Sequence, residues 1–227
     1  MDIEQRRAPD WTLIDTVLLD LDGTLLDLAF DNHLWLDVLP RRYAAANNID
    51  ETAARAALAP RFRAWRGRLE WYDLDFWTRE LGIDMAALHA EFAARIDWLP
   101  GAREFLGLLR ARGKRLLLCT NSHPAALAVK DRRTGVLGLL DAAYTSHRFG
   151  APKEDARFWR QLHEAARYDP PHTLLIDDNP AVLHAAAAAG IGWLVEVSEP
   201  DSTQRRGTTR AGVSRYFSVA TVAQLQA

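Results

Sequence analysis

Two carboxylates stand at the end of the first strongly apolar run of the chain, in the sequence Asp20-Leu21-Asp22-Gly23-Thr24. Side chains alternate between the two faces of a strand with period two, so both aspartates are expected on the same side, where they converge on one point. Gly23 permits a sharp turn of the backbone. The chain is therefore expected to leave a sheet here, at the edge where ligands of open α/β sheets bind.

Further polar residues follow three other predicted strands. They are Thr120 with Asn121 after the second, Lys153 after the third, and Asp177-Asp178 after the fourth. Four carboxylates gathered at one edge repel one another unless a cation neutralises them. Oxygen ligands favour Mg²⁺, which usually holds a substrate phosphate as a further ligand. Lys153 and the Thr120 hydroxyl would bind the remaining phosphate oxygens, so the constellation predicts phosphoryl transfer.

The candidate site requires a parallel sheet, and the hydrophobic pattern predicts one. Apolar runs of strand length occupy residues 16–21, 115–119, 142–146, 173–176 and 192–197. From the second run onward they are separated by helical patterns at residues 102–112, 124–134, 155–166 and 180–189. Such alternation is typical of an α/β fold. We predict a Rossmann-like parallel sheet with strand order 3-2-1-4-5, in which the strand leading to Asp20 is central.

About 90 residues separate the first two predicted strands, which is more than one crossover connection needs. We therefore assign residues 28–99 to an inserted domain and residues 1–27 and 100–227 to the core. The insert has helical patterns over residues 31–47, 51–67, 74–81 and 84–96, interrupted at Pro40, Pro60 and Gly82. We expect a small α-helical cap domain over the carboxyl ends of the strands, able to exclude water from the site.

The composition favours a small-molecule enzyme over other classes of protein. The 227 residues are 48% hydrophobic and 26% charged, with a net charge of −2, which gives no electrostatic footprint for nucleic acid. No apolar run approaches the ~20 residues of a membrane-spanning helix.

The single cysteine, Cys119, is expected to be a buried hydrophobic residue. The polar segment 198–212 is expected to be a mobile surface loop. We expect a cytoplasmic protein, either a monomer or a homodimer.

Taken together, the strand-end motifs resemble those of the haloacid dehalogenase superfamily of phosphatases, over the whole chain. The matching residues are Asp20-Leu21-Asp22-Gly23-Thr24, Thr120, Lys153 and Asp177-Asp178. The resemblance implies that Asp20 is the nucleophile that takes the phosphoryl group, and that Asp22 protonates the leaving oxygen and then activates water. It implies a Mg²⁺ ion held by Asp20, the Asp22 carbonyl oxygen and Asp177.

Other residues acquire roles from the same resemblance. Asp178 would orient a metal-bound water or Lys153, and Thr120, Asn121 and Lys153 would bind the substrate. The second aspartate, Asp22, disfavours dehalogenation, because dehalogenases of the superfamily lack it.

Within the superfamily, three segments resemble those of the GMP/IMP-specific 5′-nucleotidases. They are residues 25–32, His123-Pro124 with residues 127–130, and Phe149-Gly150 with residues 152–155. This likeness implies hydrolysis of a purine nucleoside monophosphate. A phosphatase of another small metabolite, such as a sugar phosphate or phosphoglycolate, a phosphosugar mutase, and a non-enzymatic regulatory protein are the alternatives.

The predicted cap is rich in aromatic residues, namely Trp35, Trp65, Trp71, Tyr72, Phe76 and Trp77. We expect most of them to form the cap core, with Trp71, Tyr72 and Trp77 as the candidates for stacking on a base. The arginines of the cap, Arg61, Arg63, Arg66 and Arg68, are expected to face solvent. His123 is expected either to cap a helix or to reach the substrate.

Overall fold

Six parallel strands form the single sheet of the computed structural model, which describes residues 7–204 and 214–225. The strands are β1 Thr16–Leu19, β2 Arg115–Thr120, β3 Ala142–Thr145, β4 Thr173–Asp177, β5 Trp193–Val197 and β6 Phe217–Val219. Their order, β3-β2-β1-β4-β5-β6, confirms the predicted arrangement of the first five. The edge strand β6 was missed, because three residues carry too little pattern to predict a strand.

Helices cover both faces of this sheet. The connecting helices are α6 Ala102–Ala111, α7 Pro124–Thr134, α8 Ser146–Phe149, α9 Ala156–Ala166 and α10 Pro180–Ala188. Val17 and Leu19 of β1 pack in the same apolar cluster as α6 and α7, whereas Leu18 packs in the cluster that contains α9 and α10. Because successive side chains of a strand point to opposite faces, one short strand supplies both cores.

Five helices lie between β1 and α6, as the helical pattern of the insert predicts. They are α1 Ala29–His33, α2 Leu39–Asn47, α3 Glu51–Trp65, α4 Leu74–Leu81 and α5 Met85–Glu91. Gly82 ends α4 with φ of +67°, as expected, but α3 runs through Pro60 without a break. The predicted helix 84–96 is shorter, since α5 gives way to the 3₁₀ turn Ala93–Arg95.

A π-helical turn, Leu34–Val38, joins α1 to α2 just before Pro40. Proline has no backbone N–H, so it leaves the carbonyl four residues earlier without its helical donor. That carbonyl belongs to Leu36, and it accepts a hydrogen bond of 2.5 Å from Arg55 Nη1 of α3 instead. The predicted interruption at Pro40 is therefore a change of helical winding rather than a break.

The two ends of the inserted segment run side by side. Asp27 N–H donates to the Asp97 carbonyl at 3.0 Å, and Leu99 N–H donates to the Leu25 carbonyl at 2.9 Å. Leu26 and Trp98 form an antiparallel bridge between these bonds. The chain thus leaves the sheet region and returns to it through one short two-stranded neck.

The aromatic residues of the insert pack mainly against one another. Trp77 is fully buried, and its ring lies 5.2 Å from Phe62 and 6.0 Å from Trp35, measured between ring centroids. Its Nε1–H donates to the Trp71 carbonyl at 3.0 Å. The suggestion that Trp77 stacks on a base is therefore wrong, because its indole is needed as the centre of this core.

Three other predictions concern Cys119, the polar segment 198–212 and membrane-spanning helices. Cys119 is fully buried, and burial raises the pKa of its thiol. Of the predicted surface loop 198–212, residues 205–212 lie outside the described part of the chain. Among the described residues, no helix has the length and apolar character needed to cross a membrane.

Candidate active site

The site begins where β1 ends, at Leu19. This residue pairs with Leu118 of β2 on one side and Ile176 of β4 on the other, so Asp20 follows beside the end of β4. Asp20 N–H still donates to the Ile176 carbonyl at 3.0 Å. The strand is two residues shorter than predicted, and Asp22 lies in the turn that follows. The two carboxylates therefore reach the site by a turn and not by the alternation of one strand.

Gly23 makes that turn possible. Its φ of +88° lies in the left-handed region, which residues with a Cβ rarely adopt. A Cβ at this position would lie 2.9 Å from Asp178 Cγ and 2.8 Å from Pro200 Cβ. Both the turn and the close approach of the Asp178 carboxylate therefore require glycine.

Lys153 is the centre of the charge cluster. Its Nζ donates a short hydrogen bond to Asp20 Oδ1 and a second one, of 2.7 Å, to Asp177 Oδ2. Lys153 is 2% exposed and Asp177 1% exposed, so these charges are almost completely removed from water. The buried ammonium offsets the repulsion between two carboxylates that come from adjacent strands.

Burial and charge shift the pKa values of this cluster. Burial raises the pKa of Asp20 well above its usual range, the nearby Lys153 opposes this effect, and Asp177 adds to it. For Lys153 burial favours the neutral amine, but the two carboxylates outweigh it and raise the lysine pKa well above its usual value. Lys153 therefore stays charged, and Asp20 needs nearby positive charge to stay ionised.

The main chain of Lys153 is fixed on both sides. Its N–H donates to Asn121 Oδ1 at 2.9 Å, and its carbonyl accepts from Trp159 Nε1 at 2.7 Å. Trp159 is itself buried in α9. Asn121 thus connects the end of β2 to the lysine, while Thr120 Oγ1 accepts from Ser122 N–H at 2.9 Å and shapes the turn after β2.

Oxygen atoms of Asp20, Asp177 and Asp178 lie within 4.8 Å of one another. All three offer carboxylate oxygens, the ligand type that hard divalent cations such as Mg²⁺ prefer. Asp177 is oriented by a 2.9 Å hydrogen bond from Asn179 N–H to its Oδ1. The donor set fits a divalent cation. Because two of the three carboxylates are buried, a bound cation would also reduce the repulsion between them.

Asp22 belongs to a second ionic cluster. Its Oδ1 lies 2.7 Å from Lys130 Nζ of α7, and its side chain is 20% exposed. Lys130 also donates to both oxygens of Asp31 of α1, at 2.9 and 3.0 Å. Burial raises the pKa of Asp22, and the nearby Lys130 opposes that rise. The two aspartates of the first motif are thus held by different lysines.

A cavity of about 580 Å³ joins the acidic corner to the inserted helices. Its lining includes Asp20 and Lys153 from the core side and Trp35, Phe62 and Trp71 from the insert. The volume lies within the range of small-molecule sites. Arg66 is exposed, as expected for the cap arginines, but it also lines this cavity, with its guanidinium 5.9 Å from the Trp71 ring centroid.

Tyr72 ties the insert to the core beside Lys153. Its hydroxyl donates to Glu154 Oε1 at 2.7 Å, and Glu154 Oε2 accepts from Asn121 Nδ2 at 3.0 Å. Asn179 Nδ2 donates to the same carboxylate at 3.3 Å. The cavity is thus closed on this side by a hydrogen-bonded contact between the two parts of the chain.

His123 caps a helix, which is one of the two roles that the sequence left open. Its Nδ1 accepts from Ala125 N–H at 3.2 Å and caps α7, and its side chain also lines the cavity. Its Nε2 lies 3.8 Å from Asp73 Oδ1, at the start of α4.

The sequence analysis gave no role in the site to Lys130, Asp31, Glu154 or Asn179, although the first three lie in the segments that resemble the 5′-nucleotidases. Lys130 carried a detectable signal, because it shares the buried face of α7 with Ala126 and Val129. A lysine at an apolar helical position predicts a buried partner. Glu154 and Asn179 had no comparable signal, since both stand in short polar connections.

Comparison with known proteins agrees with this geometry. The profile of the haloacid dehalogenase-like hydrolases matches residues 14–190. The GMP/IMP nucleotidase YrfG of Escherichia coli K12 is 42% identical over 192 residues, covering 85% of this chain and 86% of the relative. A phosphoglycolate phosphatase of Nitrosospira multiformis is 28% identical, covering 78% of this chain and 80% of its own.

A solved structure supports the fold. The HAD phosphatase from Thermococcus onnurineus superposes with a TM-score of 0.77 at 21% identity, over 93% of this chain and 96% of its own. The matched segment includes Asp20, Thr120, Lys153 and Asp177. The chain therefore belongs to the haloacid dehalogenase-like hydrolases.

Proposed function

We propose that this protein is a Mg²⁺-dependent phosphatase that hydrolyses purine nucleoside 5′-monophosphates through an aspartyl phosphate on Asp20. The observation that carries the proposal is the contact of one buried lysine, Lys153, with both Asp20 and Asp177. This arrangement sets a carboxylate nucleophile beside a fixed positive charge, which is what transfer of an anionic phosphoryl group requires.

The proposed reaction has two steps. In the first, a carboxylate oxygen of Asp20 attacks phosphorus, the bond from phosphorus to the ester oxygen breaks, and Asp22 gives its proton to that oxygen. In the second, Asp22 takes a proton from water, the water oxygen attacks phosphorus, and the bond to Asp20 breaks. Lys153, with Thr120 and Asn121 beside it, would hold the phosphate oxygens during both steps.

Mg²⁺ would be held by Asp20, Asp177 and the carbonyl oxygen of Asp22, with Asp178 beside them. When bound, the ion supplies positive charge that neutralises the phosphate and the acidic cluster. The structural support is the oxygen-only donor set, which lies in a largely buried position.

Binding of Mg²⁺ should be visible without any assay of turnover. A ligand that binds only the folded state stabilises it, so millimolar Mg²⁺ should raise the melting temperature by about 2–5 °C. Asp177→Asn should remove most of that shift, whereas Asp97→Asn, a change outside the acidic cluster, should retain it. An unchanged melting temperature in the unaltered protein would count against the metal site.

The proposed cap, residues 28–99, would determine the substrate. Trp35, Phe62 and Trp71 give the cavity an aromatic wall, and rings of this type bind a nucleobase by stacking. Phosphoglycolate would leave most of a cavity of about 580 Å³ unfilled. The aromatic wall and the 42% identity to a GMP/IMP nucleotidase therefore favour a purine nucleotide over a smaller phosphate ester.

Released phosphate, measured with a panel of nucleoside monophosphates, sugar phosphates and phosphoglycolate, tests the substrate class. We expect the highest kcat/KM with IMP and GMP. Trp71→Leu should lower kcat/KM for these two by about 10-fold to 100-fold, because base stacking contributes roughly 1–3 kcal/mol. The same change should affect glycerol phosphate much less, since that ester carries no base.

Trp65→Leu is the matched control for the Trp71 variant. Trp65 lies in the same aromatic cluster and contacts Phe76, with ring centroids 4.7 Å apart, but it does not line the cavity. Its loss should lower stability without changing the preference among substrates. A preference for sugar phosphates in the unaltered protein, or an equal loss for all esters in Trp71→Leu, would contradict the assignment.

A further inference from the structure

Lys130 is a buried cation to which the reaction proposed above gives no part. It lies on α7 and is 1% exposed, although lysine is almost never fully buried unless it is paired. Its Nζ lies 2.7 Å from Asp22 Oδ1 and 2.9 Å from the nearer Asp31 oxygen. Lys130 therefore contacts the side chain to which we assign proton transfer.

Stability alone is a weak explanation for this cluster. Removing an ammonium group from water is costly, and apolar replacements of buried ion pairs are often neutral or stabilising. The neighbours of Lys130 on the buried face of α7 are Ala126, Leu127 and Val129, so an apolar side chain would suit this position. The charge at this position is better explained by what it does to Asp22.

We propose that Lys130, anchored by Asp31, is a positioning residue that holds the Asp22 carboxyl group where the leaving oxygen receives its proton. The inference rests on the proposed phosphatase activity and extends it to one residue of α7 and one of α1. Lys130 contacts Oδ1 of Asp22, which leaves Oδ2 to give a proton to the ester oxygen as its bond to phosphorus breaks.

Asp31 anchors the side chain of Lys130. It accepts hydrogen bonds from Lys130 through both carboxylate oxygens, at 2.9 and 3.0 Å, and this fixes the direction of the lysine side chain. Asp31 belongs to the proposed cap, whereas Lys130 and Asp22 belong to the core. Lys130 therefore links Asp22 of the core to α1 of the proposed cap, so the alignment of the acid would depend on how α1 lies against α7.

The dependence on the leaving group tests this role. Departure of a nucleoside 5′-alkoxide needs a proton, whereas p-nitrophenolate is weakly basic and departs without one. Lys130→Met should therefore lower kcat for IMP by about 100-fold, in the range of a lost general acid, and for p-nitrophenyl phosphate by less than about 3-fold. Asp22→Asn should show the same bias with a loss of equal or greater size.

Two further variants keep the test decisive. Asp31→Asn removes the anchoring charge but keeps Lys130, and it should show the same bias with a loss of about 10-fold for IMP, even if Lys130→Met fails to fold. Arg133→Met changes an exposed residue of the same helix and should leave both substrates unaffected. The melting temperatures of all variants show whether a loss of activity comes from unfolding or from misplacement of the Asp22 carboxyl group.

Each outcome has a definite meaning. Equal losses for both substrates in Lys130→Met and Asp31→Asn would show a structural role and overturn the proposal, and so would full activity of both variants towards IMP. If the unaltered protein hydrolysed neither ester with Mg²⁺, the proposed phosphatase activity itself would be wrong. A hydrolysing protein with no leaving-group bias in the variants would refute only the role of Lys130.

Discussion

Replacing Asp20 by asparagine is expected to abolish phosphate release while leaving the protein folded. The amide has the shape of the carboxylate and can still accept the hydrogen bond of Lys153, but its oxygen is a poor nucleophile towards phosphorus. We expect kcat to fall by at least about 10⁴-fold, because loss of a nucleophile removes the covalent route altogether.

The stability of the Asp20→Asn protein should not fall. Asp20 is buried near Asp177 and Asp178, which raise its pKa together with burial, so a neutral side chain relieves repulsion. Thermal unfolding and single-turnover phosphate release measure the two properties separately. Asp10→Asn, at an exposed aspartate near the start of the described chain, serves as the control. Residual turnover above about 1% would place the nucleophile elsewhere.

Lys153→Met is expected to affect stability and catalysis together. Removing the ammonium leaves Asp20 and Asp177 buried without their shared cation, and breaking a buried ion pair in this way costs about 3–5 kcal/mol. Turnover should fall by at least about 10³-fold, since the fixed positive charge at the phosphate is lost. Urea unfolding at neutral pH and steady-state kinetics measure the two losses.

Mg²⁺ gives this prediction a second readout. A cation bound among the carboxylates would replace part of the missing charge, so the stability gap to the unaltered protein should narrow when Mg²⁺ is added. Lys114→Met is the matched control, because Lys114 Nζ donates to the carbonyls of Trp11 and Ile14, away from the cavity. That variant should lose stability but keep its kcat. Unchanged stability and kcat in Lys153→Met would contradict the proposed role.

The residues at strand ends were predictable because topology alone places them. Parallel strands put their carboxyl ends at one edge, and in the order 3-2-1-4-5 the strands that lead to Asp20 and Asp177 are neighbours. The contact of Lys153 with both aspartates confirms that they meet. The exact position of Lys153 also depends on hydrogen bonds of its main chain to the side chains of Asn121 and Trp159, which no sequence pattern predicted.

Features that depend on packing between the two parts of the chain were not predictable in the same way. Glu154 joins the insert to the core because it accepts a hydrogen bond from the Tyr72 hydroxyl, and no local sequence pattern specifies that contact. Trp77 and Trp71 are both aromatic residues of one short segment, yet one is the centre of a core and the other lines the cavity. Periodicity assigns residues to helices, but the docking of those helices decides which face meets the ligand.

The two-stranded neck at Leu26 and Trp98 joins the inserted helices to the core at one point. Hydrogen bonds between its strands fix the distance between the ends of the insert before the first inserted helix begins. Closing a longer or shorter segment between fixed ends changes the free energy only slowly with length. An insert of another length could therefore be joined at the same two strands without moving the acidic edge of the sheet, which would make the lining of the cavity separable from the proposed chemistry.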